Sequence, residues 1–158
     1  MKLGTMVLGA VLGLWATDVA AQTPAPWMGT WKLDVAKSKF SPGPAPKSQI
    51  VKNAPAKDGG YDSTADTVAA DGKATHVEYY ARPDGKEYPI KGGTADVIWV
   101  KVVGDNDNEW ATSKGGKVVT SGKTSYSKDG KKRTLTFTSF DDKGQKFENK
   151  AVFDRQFR

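Results

Sequence analysis

The chain has 158 residues, a formal net charge of +6 and no cysteine. That length suits one domain with an ordinary hydrophobic core. The missing cysteines exclude a disulfide framework, a lipid-modified N-terminal cysteine and any Cys-based metal site.

The first segment reads as a targeting signal. Lys2 gives a short positive region, 3–15 are mostly apolar, and Val19-Ala20-Ala21 places small residues where a signal peptidase needs them. This predicts a signal helix over 1–21, cleaved after Ala21. The apolar stretch is shorter than the roughly 20 residues that span a bilayer. No transmembrane segment is expected after cleavage, and the mature chain is expected in the periplasm or outside the cell. Residues 22–28 form a short Pro-containing lead, and 29–158 are expected to form a single domain.

That domain opens with a strand over 29–34. Pro42, Pro44 and Pro46 then make 36–47 an extended loop, since each lacks a backbone donor and has a fixed φ. Further strands are predicted over 48–53, 61–69, 74–81, 97–103, 109–113, 117–127, 133–140 and 146–153. Turn signals separate them: Asp58-Gly59-Gly60, Asp71-Gly72, Asp84-Gly85, Gly104-Asp105-Asn106, Lys114-Gly115-Gly116, Asp129-Gly130 and Asp142-Lys143-Gly144. Alternation supports half-buried strands. Leu135 and Phe137 share a face opposite Thr134, Thr136 and Thr138, and Val77 and Tyr79 oppose His76, Glu78 and Tyr80.

Short hairpins between successive strands favour a meander. The predicted fold is all-β: an antiparallel up-and-down barrel of about 8–10 strands, with a two-sheet sandwich as the alternative. Barrels of this size can hold one small ligand.

No catalytic constellation is present. His76 is the only histidine, there is no Gly-x-Ser-x-Gly elbow, and neither a metal nor a cofactor is expected. Asp105-Asn106-Asp107-Asn108-Glu109 lacks the spacing of a calcium loop. Most lysines flank turns, among them Lys73, Lys86, Lys114, Lys117, Lys128, Lys131, Lys132 and Lys143. They read as protection of strand ends, with attraction to an anionic envelope component as the sharper reading. Nucleic acid is not expected, because the basic residues lack interleaved aromatics.

Aromatics occur on nearly every strand, and many other strand positions are small or polar, which leaves room inside a barrel. The candidate ligand-binding residues are His76, Glu78, Tyr80, Trp99, Trp110 and Tyr126. His76, Glu78 and Tyr80 form one row that would line a polar interior, and Trp99 and Trp110 are expected to be neighbours across a hairpin. The expected function is non-enzymatic binding of a small apolar or amphipathic molecule by a monomer. The alternative is an envelope interaction module acting through its basic surface.

Gly29-Thr30-Trp31 at the head of the first strand resembles the Gly-x-Trp signature of the calycins, the group of lipocalins and fatty-acid-binding proteins. The stretch over 29–48, with Asp84-Gly85-Lys86-Glu87-Tyr88-Pro89 and Ser127-Lys128-Asp129-Gly130-Lys131, resembles uncharacterised secreted bacterial lipocalin-like proteins. The resemblance implies a closed barrel with Trp31 at a plugged end and Arg155 packed over its indole, a structural role. The chain departs from both namesakes: it lacks lipocalin disulfides, and the proline loop stands where fatty-acid-binding proteins carry a helical lid.

Overall fold

The computed structural model describes residues 23–157. The expected signal peptide over 1–21 lies outside the described residues. Ten strands follow in order: β1 Gly29–Leu33, β2 Ser48–Pro55, β3 Tyr61–Val68, β4 Ala74–Ala81, β5 Asp84–Lys91, β6 Val97–Gly104, β7 Asp107–Lys114, β8 Lys117–Tyr126, β9 Lys132–Phe140 and β10 Lys146–Gln156. Each pairs antiparallel with its sequence neighbours, and β1 closes the sheet onto β10 through Trp31↔Arg155 and Leu33↔Phe153. The fold is a closed up-and-down barrel; closure leaves no full-length strand edge exposed.

β5 is the strand that the sequence reading omits. Its Asp84-Gly85 start reads as a turn, and Pro89 argues against a ladder position. The pairing explains how the proline is tolerated. Ile90 N–H donates to Asp96 O on the β6 side at 2.8 Å. Successive N–H positions point to opposite neighbours, so the hydrogen missing from Pro89 would have faced β4. On that side the ladder consists of Glu78↔Lys91 and Tyr79↔Ile90 and then stops. Pro89 therefore costs no hydrogen bond, and the β4–β5 seam is the loosest in the barrel.

The β1–β2 connection is more structured than a bare loop. A one-turn 3-10 helix, Val35–Lys37, is capped by Asp34, whose carboxylate accepts from Lys37 N–H at 3.2 Å. The chain then runs along β10 beyond β1, with Lys39 pairing antiparallel with Lys150. Val152 N–H donates to Ser38 Oγ at 2.9 Å, Asp34 N–H donates to Val152 O at 2.8 Å, and Ser41 N–H donates to Asn149 Oδ1 at 2.7 Å. This cover buries Val152 although it alternates with the inward-facing Ala151 and Phe153.

The core gathers around β1. Trp31, Leu33, Val51, Tyr126, Ala151 and Phe153 form one buried cluster, and the rings of Trp31 and Tyr126 are 5.6 Å apart. Trp27 and Phe40 pack against it from the lead and the connection.

Candidate functional site

Alternation along the closed sheet sends Val51, Ala65, Ile98, Val100, Leu135 and Phe153 to the interior, where they wall a cavity of about 170 Å³. Polar groups join them on the same inward faces: Asn53, Tyr61, Asn108, Tyr126 and Arg133. Trp110 completes one wall, its indole N–H donating to Thr124 Oγ1 at 3.0 Å and its ring 5.9 Å from Phe137. The gap beside these rings is kept by Gly122. A Cβ there would fall 2.5 Å from both Phe137 Cβ and Thr136 O, so only glycine lets β8 and β9 approach so closely.

One end of the interior is plugged. Arg155 stacks over the Trp31 indole with its guanidinium carbon 4.3 Å from the ring centroid. The same guanidinium donates to Gly130 O at 2.5 Å, Met28 O at 2.6 Å and Pro26 O at 2.9 Å. It thus ties the lead and the β8–β9 turn to the last strand. Gly29 makes room for it. Its φ of +108° lies in the region that disfavours side chains, and a Cβ there would stand 2.5 Å from Arg155 Nη1. The Gly-x-Trp opening therefore works as a unit, with the glycine admitting the arginine and the tryptophan receiving it.

Arg133 lies on the inner side of this plug. It is 7% exposed, sits 4.4 Å over Phe153 and 5.6 Å from the Trp31 ring centre, and forms no ion pair within the described residues. Its Nε is buried without a hydrogen-bond partner among the described residues, as is Asn53 Oδ1. Asn53 is held in place by its amide, which donates to Trp27 O at 2.8 Å. A cation over aromatic faces gains about 0.5–2 kcal/mol. The desolvation penalty for a buried ion is on the order of several kcal/mol. The aromatic contacts therefore leave the Arg133 charge undercompensated.

The neighbouring phenols are held neutral. Burial pushes the Tyr61 hydroxyl well above the usual tyrosine range, and the nearby Tyr79 and Tyr126 add to the shift. Burial likewise raises Tyr126, against the opposing pull of Arg133. Both hydroxyls remain protonated, and the Tyr126 oxygen turns toward Arg133 and Asn108, whose pull opposes the shift.

The interior sorts the sequence candidates. Trp110 and Tyr126 line the cavity, and Trp31 and Arg155 form the plug. His76, Glu78 and Tyr80 do not line it. They share a row, as read, but the row faces outward because Tyr79 and Val77 take the inward positions; Tyr79 pairs with Ser63 and Val77 with Ala65, both inward residues. His76 accordingly pairs with Asp66 on the outer surface at 2.6 Å. Trp99 and Trp110 are diagonal neighbours across the β6–β7 hairpin and both border one outer groove, but only Trp110 reaches the interior. Trp110 pairs with Val100, and Trp99 pairs with Ala111, so the one-residue offset puts Trp99 on the outer face. The turn-flanking lysines named from sequence fall at both ends of the barrel.

Arg133, Asn53, Tyr61 and Asn108 were not singled out from sequence. For Arg133 a signal existed. It is two residues before Leu135 and four before Phe137, so alternation puts a charge on the apolar face of its strand.

No family model matches the chain, and no curated protein sequence matches it. Among solved structures, a redesigned β-barrel superposes with a TM-score of 0.50 at 13% identity, covering 84% of this chain and 93% of that one. The crystal structure of Rv2717c from M. tuberculosis superposes with a TM-score of 0.55 at 18% identity, covering 85% and 94%. At such identities the likeness is one of fold, and it places this chain among closed antiparallel β-barrels.

Proposed function

We propose that this chain is an exported, non-enzymatic, lipocalin-like barrel that binds one small apolar or amphipathic molecule in its interior. The cavity of about 170 Å³ carries the reading. An apolar cavity of about 150 Å³ accepts a benzene ring, whereas drug-sized ligands need about 300 Å³ or more. The enclosed space matches a ring-sized group better than a whole acyl chain. The Gly29, Trp31 and Arg155 plug supports the lipocalin-like assignment. Solvent exposure of His76, the only histidine, supports a binding rather than a catalytic role.

Trp110 makes the reading testable, because its ring forms part of the cavity wall. Titration with toluene should give a saturable change in tryptophan emission and a rise in melting temperature that grows with ligand concentration. Enlarging Leu135 to Trp should fill the space and abolish both responses. An unsaturable response, or one unchanged in a folded Leu135→Trp protein, would remove the cavity from the account.

A further inference from the structure

The orphaned polar groups of the cavity point to the chemistry of its occupant, an inference that rests on the interior being a binding site. Arg133 is more than nine-tenths buried, and its Nε has no partner among the described residues. Among the described residues no carboxylate lines the cavity. A second guanidinium, that of Arg155, stacks on the same Trp31 indole, so two positive charges flank one ring. The neutral hydroxyls of Tyr61 and Tyr126 line the same cavity, that of Tyr126 facing Arg133 and Asn108. Cations and donors without a negative partner describe half of an ion pair.

We propose that Arg133 is an anion anchor, and that the cavity takes a small aromatic monocarboxylate whose carboxylate accepts from the Arg133 guanidinium. The ring then rests against the apolar walls formed by residues such as Ile98, Val100 and Leu135. The volume fixes the size: a benzoate-like molecule fits the space, and its charge meets the one undercompensated ion inside. Asn53 Oδ1 is the complementary orphan, an acceptor fixed in orientation by the bond from its amide to Trp27 O. A ring hydroxyl on the ligand would satisfy it.

Benzoate and toluene separate the possibilities, since they share a ring and differ in charge. On the protein, calorimetric titration should show benzoate binding about 10- to 100-fold more tightly than toluene, the range for one charge-assisted hydrogen bond. Arg133→Met should cost benzoate at least about 10-fold and leave toluene within about threefold. At least one of the three hydroxybenzoate isomers should bind more tightly than benzoate. If none does, the role given to Asn53 is wrong. Toluene binding as well as benzoate would overturn the anion assignment and leave the cavity reading intact. Failure of both ligands would overturn both. A second readout needs no variant: the Arg133 Nε–H resonance, identified by its proximity to the Phe153 and Trp31 rings, should move downfield with benzoate and not with toluene. No movement with saturating benzoate would overturn the assignment even if Arg133→Met does not fold.

Discussion

Replacing Arg155 with methionine keeps the length of the side chain and removes its charge and its donors. The guanidinium makes three bonds to backbone carbonyls, those of Gly130, Met28 and Pro26, and lies 4.3 Å over the Trp31 ring. A hydrogen bond from a charged group is worth about 1.5–3 kcal/mol net, and the stacking adds about 0.5–2 kcal/mol. These contributions overlap, because one planar group makes them all, and Arg155 is only half-buried. The carbonyls of the lead can also rehydrate once the arginine is gone. A net loss of about 3–5 kcal/mol follows, which for a domain of this size lowers the melting temperature by roughly 10–15 °C. Thermal unfolding followed by circular dichroism measures it. Arg155→Lys should recover only part of the loss, because an ammonium cannot reach three carbonyls and stack at once. A melting temperature within about 2 °C of wild type for Arg155→Met would refute the reasoning, since the plug would then contribute nothing beyond its neighbours.

Gly29→Ala should destabilise by about 1–3 kcal/mol, because the alanine must adopt φ +108° and its Cβ meets Arg155 Nη1; chemical denaturation gives the value. The phenols of Tyr61 and Tyr126 are raised above 10.0 by burial, so their stabilisation is complete below pH 10 and is lost as pH rises through their folded values. Stability measured from pH 9 to 12 should fall, and Tyr61→Phe should flatten that fall; an unchanged slope would remove Tyr61 as its cause. His76 is raised above 6.5, chiefly by its hydrogen bond with Asp66, so the pair stabilises below that pH and the contribution fades as pH rises through the folded value. Proton NMR should place its midpoint above 6.5, and Asp66→Asn should return it toward 6.5.

Much of the barrel was legible because its strands carry a period of two and its turns carry glycine. The alternation of Leu135 and Phe137 against threonines, and of Val77 and Tyr79 against His76, Glu78 and Tyr80, is the pattern the sheet uses. β5 was hidden because Pro89 argues against a ladder position unless its partnerless side is known. The register across the β6–β7 hairpin was hidden as well, and a one-residue offset decided that Trp110 faces in and Trp99 out. Trp31 and Arg155 met as the Gly-x-Trp resemblance implied, although nothing in the Pro-containing lead or the Asp129-Gly130 turn signalled that their carbonyls receive Arg155. The Arg133 position was legible and passed over, since a charge beginning a strand ordinarily marks an exposed end.

The account depends most on a small molecule occupying the inside of the barrel rather than adhering to its outside. Methyl-resolved NMR during a benzoate titration addresses that directly. Val51, Ile98, Val100 and Leu135 line the cavity, while Val103 and Val118 are exposed at 44% and 47%. Saturable shifts confined to the first group are the predicted result. Shifts centred on Val103 or Val118, or none at all at saturating ligand, would contradict it.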